Sequence, residues 1–354
     1  MKKFKNKLFY LVSFGIYSIL ILVFSLISLL FLERDAYNFL VSNFVSLRNG
    51  SNDIVEVIVD DRSLEENGKS WTRSEYAEIL DFFHTYTKPK VIGFDTTVTS
   101  FDETNSDDIK LLNQVSKMDN MVSGFLPEIT PDDSDKEIML EFSKSQALDT
   151  DLKLKNAPTT YNGIRNSSPK LLKMTKHFGS VLVSTGEASN YLVSATNIVK
   201  IRDKYYPSLA LKMYMLENNT NNITLDADYI TVSKTGRKIP YRYIDEGVLK
   251  TNIRFYHNNE NTYSYPSVPA YVVLNTYRAL KSGINPKNSP ELFKPEKQMY
   301  INPELFNNMS VFIGANISGP SADVFTTPMA KRHPGADIQA VTYDNIKNGY
   351  FLKN

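Results

Sequence analysis

An uncharged apolar run, LFYLVSFGIYSILILVFSLISLLFL from Leu8 to Leu32, follows a basic start, MKKFKNK. At about 25 residues it is long enough to cross a hydrocarbon core as a tilted helix. A secretory leader has a shorter apolar region, about 7–15 residues, that ends at small residues. The ERDAYNF that follows here has no such site, so the run is expected to be a retained anchor. Lys2, Lys3, Lys5 and Lys7 are expected on the cytoplasmic side, with everything after about residue 33 outside. Leu40, Phe44 and Leu47 recur at helical spacing before Asn49-Gly50. The expected order is a cytoplasmic tail over 1–7, a transmembrane helix over 8–32, a juxtamembrane helix over 33–50 and an extracytoplasmic domain over 51–354. The expected location is the inner membrane, crossed once.

A length of 354 residues with 42% hydrophobic content is enough for a sizeable core. The absence of cysteine removes disulfides, thiolate chemistry and cysteine-held zinc. A net charge of +1 leaves no electrostatic footprint for nucleic acid, which is excluded as a partner.

Beyond the anchor, short apolar runs alternate with helical patterns. IVEVIV (54–59) reads as a buried strand, TRSEYAEILDFFHTYT (72–87) as a helix and KVIGF (90–94) as a second strand. Together they form a βαβ unit with parallel strands. IKLLNQVSKM (109–118) is a second helix and MVSGFL (121–126) a third strand. Residues 127–170 are polar and read as a surface excursion with one helix. HFGSVLVST (177–185), SATNIVKI (194–201) and LKTNIRFY (249–256) read as strands, and YITVSKTGRKIPY (229–241) as a hairpin turning at Thr235-Gly236. SVPAYVVLNTYRALKSG (267–283) reads as helical throughout. SVFIG (310–314) returns to the buried-strand pattern and is expected in the same sheet as the first two runs. A helix over 336–349 ends on glycine. The fold class is α/β: a mostly parallel sheet with flanking helices and a long mixed α/β insertion, preceded by one transmembrane helix.

Five stretches in order carry a resemblance: DIVEVIVDDRSLEENGKSWTRSEYAEIL, PKVIGFDTTVT, YYPSLAL, VFIGANISGPSADVFTTP and PGADIQAVTYDNIKNGYFL. From about Asp53 to Leu352 the chain resembles the second subtype of the cyclases/histidine kinases associated sensory extracellular (CHASE) domain. The resemblance implies a bacterial extracytoplasmic sensor that controls a cyclase or kinase output lying outside this chain. It implies no catalytic activity for the chain itself.

Asp60, Asp61 and Asp95 lie just past the carboxyl ends of two strands read as parallel. In open α/β sheets ligands bind at that edge. Carboxylates there could grip a basic ligand or hold a hard divalent cation, with Asp60 and Asp95 as its ligands. The rival reading is that an aspartate caps the next helix and the others are solvated. Successive strand residues face opposite ways, so Asp60 is the expected site residue and Asp61 the turn or ion-pair residue. Trp71, with Arg73, is expected to wall the same crevice. The GANISGPS loop (314–321) lacks a phosphate-loop lysine and is expected instead to bring Asp323 towards Asp60 and Asp95. The four histidines are scattered, and neither a His-Glu-x-x-His nor a Gly-x-Ser-x-Gly motif occurs.

The resemblance implies a sensor that detects an unidentified ligand or envelope signal, expected as a homodimer, with no cofactor beyond the cation considered above. An anchored metal-dependent hydrolase and a non-catalytic envelope scaffold are the alternatives.

Overall fold

The computed structural model describes residues 14–25, 50–68, 70–98, 101–129, 135–148, 161–165, 168–183, 192, 194–226, 228–244, 247–256, 263–319 and 323–352. The chain divides into two compact units, Met1–Leu47 and Arg48–Asn354. Within the first, residues 14–25 are helical and expose Phe14, Tyr17, Ile21 and Phe24. The rest of the 8–32 run lies outside the described residues, as does the helix expected over 33–50 apart from Gly50. Among the described residues no helix is long and apolar enough to cross a membrane.

The second unit is built on six parallel strands. In chain order they are β1 (Ile54–Asp60), β2 (Val91–Phe94), β3 (Met121–Phe125), β4 (Phe178–Ser180), β5 (Ser267–Pro269) and β6 (Ser310–Asn316). Their spatial order is β5-β1-β6-β2-β3-β4, with every neighbouring pair parallel. The first, second and last apolar runs share one sheet as expected. However, β6 lies between β1 and β2, which are therefore not direct neighbours. Val311, Phe312 and Ile313 are wholly buried. A strand that is apolar on both faces needs cover on both, and the middle of the sheet supplies it.

Strand alternation sorts the core into two layers. Val55, Val57, Val59, Ile92, Val311 and Ile313 face one side, and Ile54, Val91 and Phe312 face the other. The helices that position the site are α1 (Asp61–Glu66), α2 (Arg73–Tyr86), α3 (Ser106–Val115), α4 (Leu209–Glu217), α5 (Ala270–Lys281) and α6 (Gly335–Asn348). Helices α2, α3 and α5 cover the first layer, while α4 and α6 cover the second. A capping box between Thr72 and Glu75 starts α2. Gly349, at φ 71°, ends α6 in the left-handed conformation that glycine adopts without strain.

The stretch read as helical from 267 opens instead with edge strand β5, and the helix begins at Ala270. Pro269 has no N–H for a further neighbour, which suits the sheet edge. The insertion carries a four-stranded antiparallel sheet around Ser194–Ile201 and Val248–Asn252. The Tyr229–Val232 and Arg237–Pro240 hairpin turns at Thr235-Gly236, as its sequence indicates. The polar excursion holds a helix, Asp135–Gln146, and a short ladder between Pro127–Glu128 and Gly163–Ile164.

Strand β4 meets the start of α4 so closely that a Cβ on Gly179 would lie 2.5 Å from Leu209 Cα and 2.7 Å from Leu209 N. Both obstacles are backbone and cannot rotate aside. Gly179→Ala is therefore expected to destabilise the domain by about 1–3 kcal/mol, read as a lower urea midpoint at unchanged slope.

Candidate functional site

Glu56 sits at the centre of β1 on the face covered by α6, and it is fully buried. Gly314 on β6 lets α6 approach, since a Cβ there would lie 2.5 Å from Ala336 Cβ. The first turn of α6 thereby brings Asp337, also fully buried, against Glu56. Asp337 accepts hydrogen bonds from Ser264 N and Ser264 Oγ, both at 2.9 Å, and it pairs with His333 Nε2. The other ring nitrogen of His333 lies 3.1 Å from Thr327 Oγ1.

The two acids are pushed in opposite directions. Burial, then the adjacent Asp337 and the more distant Asp95, raise Glu56 well above the usual carboxylate range. Among the described residues no backbone N–H, lysine, arginine or hydroxyl donates to either of its oxygens. Glu56 therefore keeps its proton beside the Asp337 carboxylate. Burial alone would raise Asp337 too, but the His333 ring, the Glu56 proton and Ser264 hold it below its ordinary value.

Asp95, at the end of β2, shares this face and lies 3.7 Å from where a Gly314 Cβ would be. Burial and then the charge of Asp323 push it up to about 8. Asp323 is also raised by burial. Its backbone carbonyl accepts Gly335 N at 2.9 Å, which holds it at the start of α6. The approach of Asp323 to Asp95 is as the loop reading anticipates.

Asp60 does not join them. Its Oδ1 accepts Ser63 N at 2.8 Å and Ser63 Oγ at 2.6 Å, capping α1. Because β6 intervenes, Asp60 and Asp95 stand two strand spacings apart, about 10 Å. The two-carboxylate cation site expected of Asp60 and Asp95 is thus not brought together. Among the described residues no group of three or more His, Asp or Glu could hold a metal ion. Asp61 is exposed and accepts Ser318 N at 2.9 Å, tying α1 to the glycine loop. That contact lowers its pKa.

Trp71 and Arg73 occupy the opposite layer rather than the wall of the acidic crevice. They line a pocket of about 400 Å³ together with Tyr76, Thr97, Asn105 and Asp108. The indole meets Tyr76 edge-on at 6.0 Å between centroids, and Tyr76 meets Phe94 likewise at 5.3 Å. Arg73 Nη1 donates to Asp108 Oδ1.

Sequence reasoning passes over Glu56, Asp337, His333 and Ser264. The available signals are a lone carboxylate inside a buried β-branched run and a His333–Asp337 spacing of one helical turn.

The far end of α6 holds the point where the chain enters the domain. Ser51 donates to Asp344 through its N, at 3.0 Å, and through its hydroxyl. Tyr265 Oη donates to the same carboxylate at 2.9 Å. Asn348 Nδ2 donates to Ser51 Oγ at 2.8 Å. Lys347 and Lys90 reach Asp53 at 2.6 and 2.8 Å and, against the effect of burial, keep it below its ordinary value. One helix therefore contacts the buried acids at its first turn and the entry segment at its last.

No curated protein and no solved structure matches the chain. The family model described as "CHASE2 domain" matches residues 16–353. That match takes in the acidic face, the aromatic pocket and the whole of α6, and the chain belongs to the CHASE2 domain family, sensory domains of signalling receptors.

Proposed function

We propose that the chain is the extracytoplasmic sensory part of a membrane receptor, anchored through Leu8–Leu32 with its lysines in the cytoplasm. It reports a signal received at the carboxyl edge of the main sheet to a cyclase or kinase output across the membrane. The observation that carries this reading is the double engagement of α6. Its first turn holds Asp337 against Glu56, close to Asp95 and Asp323. Its last turn holds Ser51 and Asp53, where the anchor segment joins the domain. A basic ligand beside Asp95 and Asp323 would favour their charged forms and change the balance of charge at the start of α6. A helix buried along its length passes such a change on as a rigid displacement rather than by local give.

Topology is the part of this reading that can be tested most directly. Protease added to intact spheroplasts is expected to digest the chain beyond about residue 35, as the positive-inside rule requires. Full protection of that region until the membrane is opened would reverse the assignment.

A further inference from the structure

The pocket beside Trp71 is separate from the acidic face but opens at the same carboxyl edge, where parallel sheets receive ligands. At about 400 Å³ it is of ordinary size for a small-molecule site. Thr96 lines it, directly after Asp95 of the acidic face. Tyr76, on its inner wall, has its hydroxyl raised to about 12 by burial, in the presence of a Thr96 hydrogen bond and the Asp95 charge. Pocket and acidic face therefore meet at the end of β2.

We propose that this pocket binds a neutral, hydroxyl-bearing ring, a saccharide or cyclic polyol, against Trp71. Its charges are already matched within the protein. Helices α2 and α3 both begin there, and a helix start attracts anions. Here first-turn Glu75, Asp107 and Asp108 offset that attraction. A cation fares no better. Asp108 is taken by Arg73 and by Asp102 N at 2.6 Å, and Asp107 faces Lys110 at 3.7 Å. Asn105 is engaged in capping α3, and the Thr72 hydroxyl closes the capping box.

What remains is the half-buried indole of Trp71 as an aromatic wall, beside Thr97. A ring with an apolar face and hydroxyl groups at its rim offers area to the indole and hydrogen-bonding groups to Thr97, and adds no charge. The proposal depends on the sensor reading only for its meaning to the cell, because binding is measured without any output.

Trp71 is the chain's single tryptophan, so its emission reports this pocket alone. The full chain in detergent is titrated with glucose, N-acetylglucosamine and maltose, with choline and inorganic phosphate as charged comparisons. The expected result is a saturable change in emission with at least one sugar and none with choline or phosphate. Calorimetry with that sugar should show affinity about tenfold weaker or worse in Trp71→Phe. Thr97→Val, which leaves the ion pair and the cap in place, should weaken it as well. The proposal is overturned if no sugar gives a saturable response at millimolar concentration in wild type, or if only choline or phosphate does. Sugar binding by a chain whose domain is protected in spheroplasts would sink the sensor reading and leave the pocket assignment standing.

Discussion

Asp337→Ala is expected to destabilise the domain by about 3–5 kcal/mol, the range for removing one partner of a buried charged pair. The change strands the buried His333 ring and both donors of half-buried Ser264, and leaves a void beside the buried Glu56. Glu56→Gln touches the same contact and is expected to stay within about 1 kcal/mol of wild type. Glu56 is held in its protonated, neutral form, and the amide that replaces it is neutral and of the same shape. Urea unfolding of the two variants at pH 7 checks both expectations. Equal damage from both would show that Glu56 does not carry the proton.

The second large effect is on pH dependence. The Asp95 carboxyl is pushed up to about 8 by burial and by Asp323, against about 4 in an unfolded chain. Between those values the folded state binds a proton that the unfolded state releases, so stability falls as pH rises through the window. Glu56, raised by burial and by Asp337, tilts the curve the same way. Asp337 and Asp53 are held low and tilt it the other way, losing their contribution as pH falls below the usual carboxylate range. Stability should therefore be highest in mild acid and decline towards pH 8. Asp95→Asn should remove much of that decline. The variant is expected to match wild type near pH 4.5 and to exceed it at pH 8 by about 2–4 kcal/mol, discounted for partial solvent screening. Thermal melts at the two pH values measure the difference, and a decline of the same size in the variant would remove Asp95 as its source.

The main strands are legible because each is a short β-branched run bounded by polar turns. Their order is not, since IVEVIV, KVIGF and SVFIG are equally apolar, and only packing decides which takes the middle. Three residues of β5 are hidden because they run without a break into a helical pattern. For the site, attention falls on Asp60 because a strand-end carboxylate looks the same whether it caps a helix or meets a ligand. Ser63, three residues on, is the local partner that makes it a cap. Glu56 escapes notice between Val55 and Val57, since its importance lies in Asp337, which is far away in the chain. Trp71 marks a pocket in either reading, but the face of the sheet it belongs to is set by α2 and α3 and not by its neighbours in sequence.

The central place of β6 bears on how the domain comes into being. Synthesis runs from β1 onward, and the strand that joins β1 to β2 emerges only when Ser310–Asn316 has been made. Until then both strands present bare edges, and no nascent chain ending earlier can close the sheet. Contacts so distant in sequence also form slowly. The polypeptide thus stays open through most of its synthesis, the state in which a chain can be threaded through a translocation pore; on the extracytoplasmic placement proposed above, it would complete its sheet only after nearly all of it had crossed.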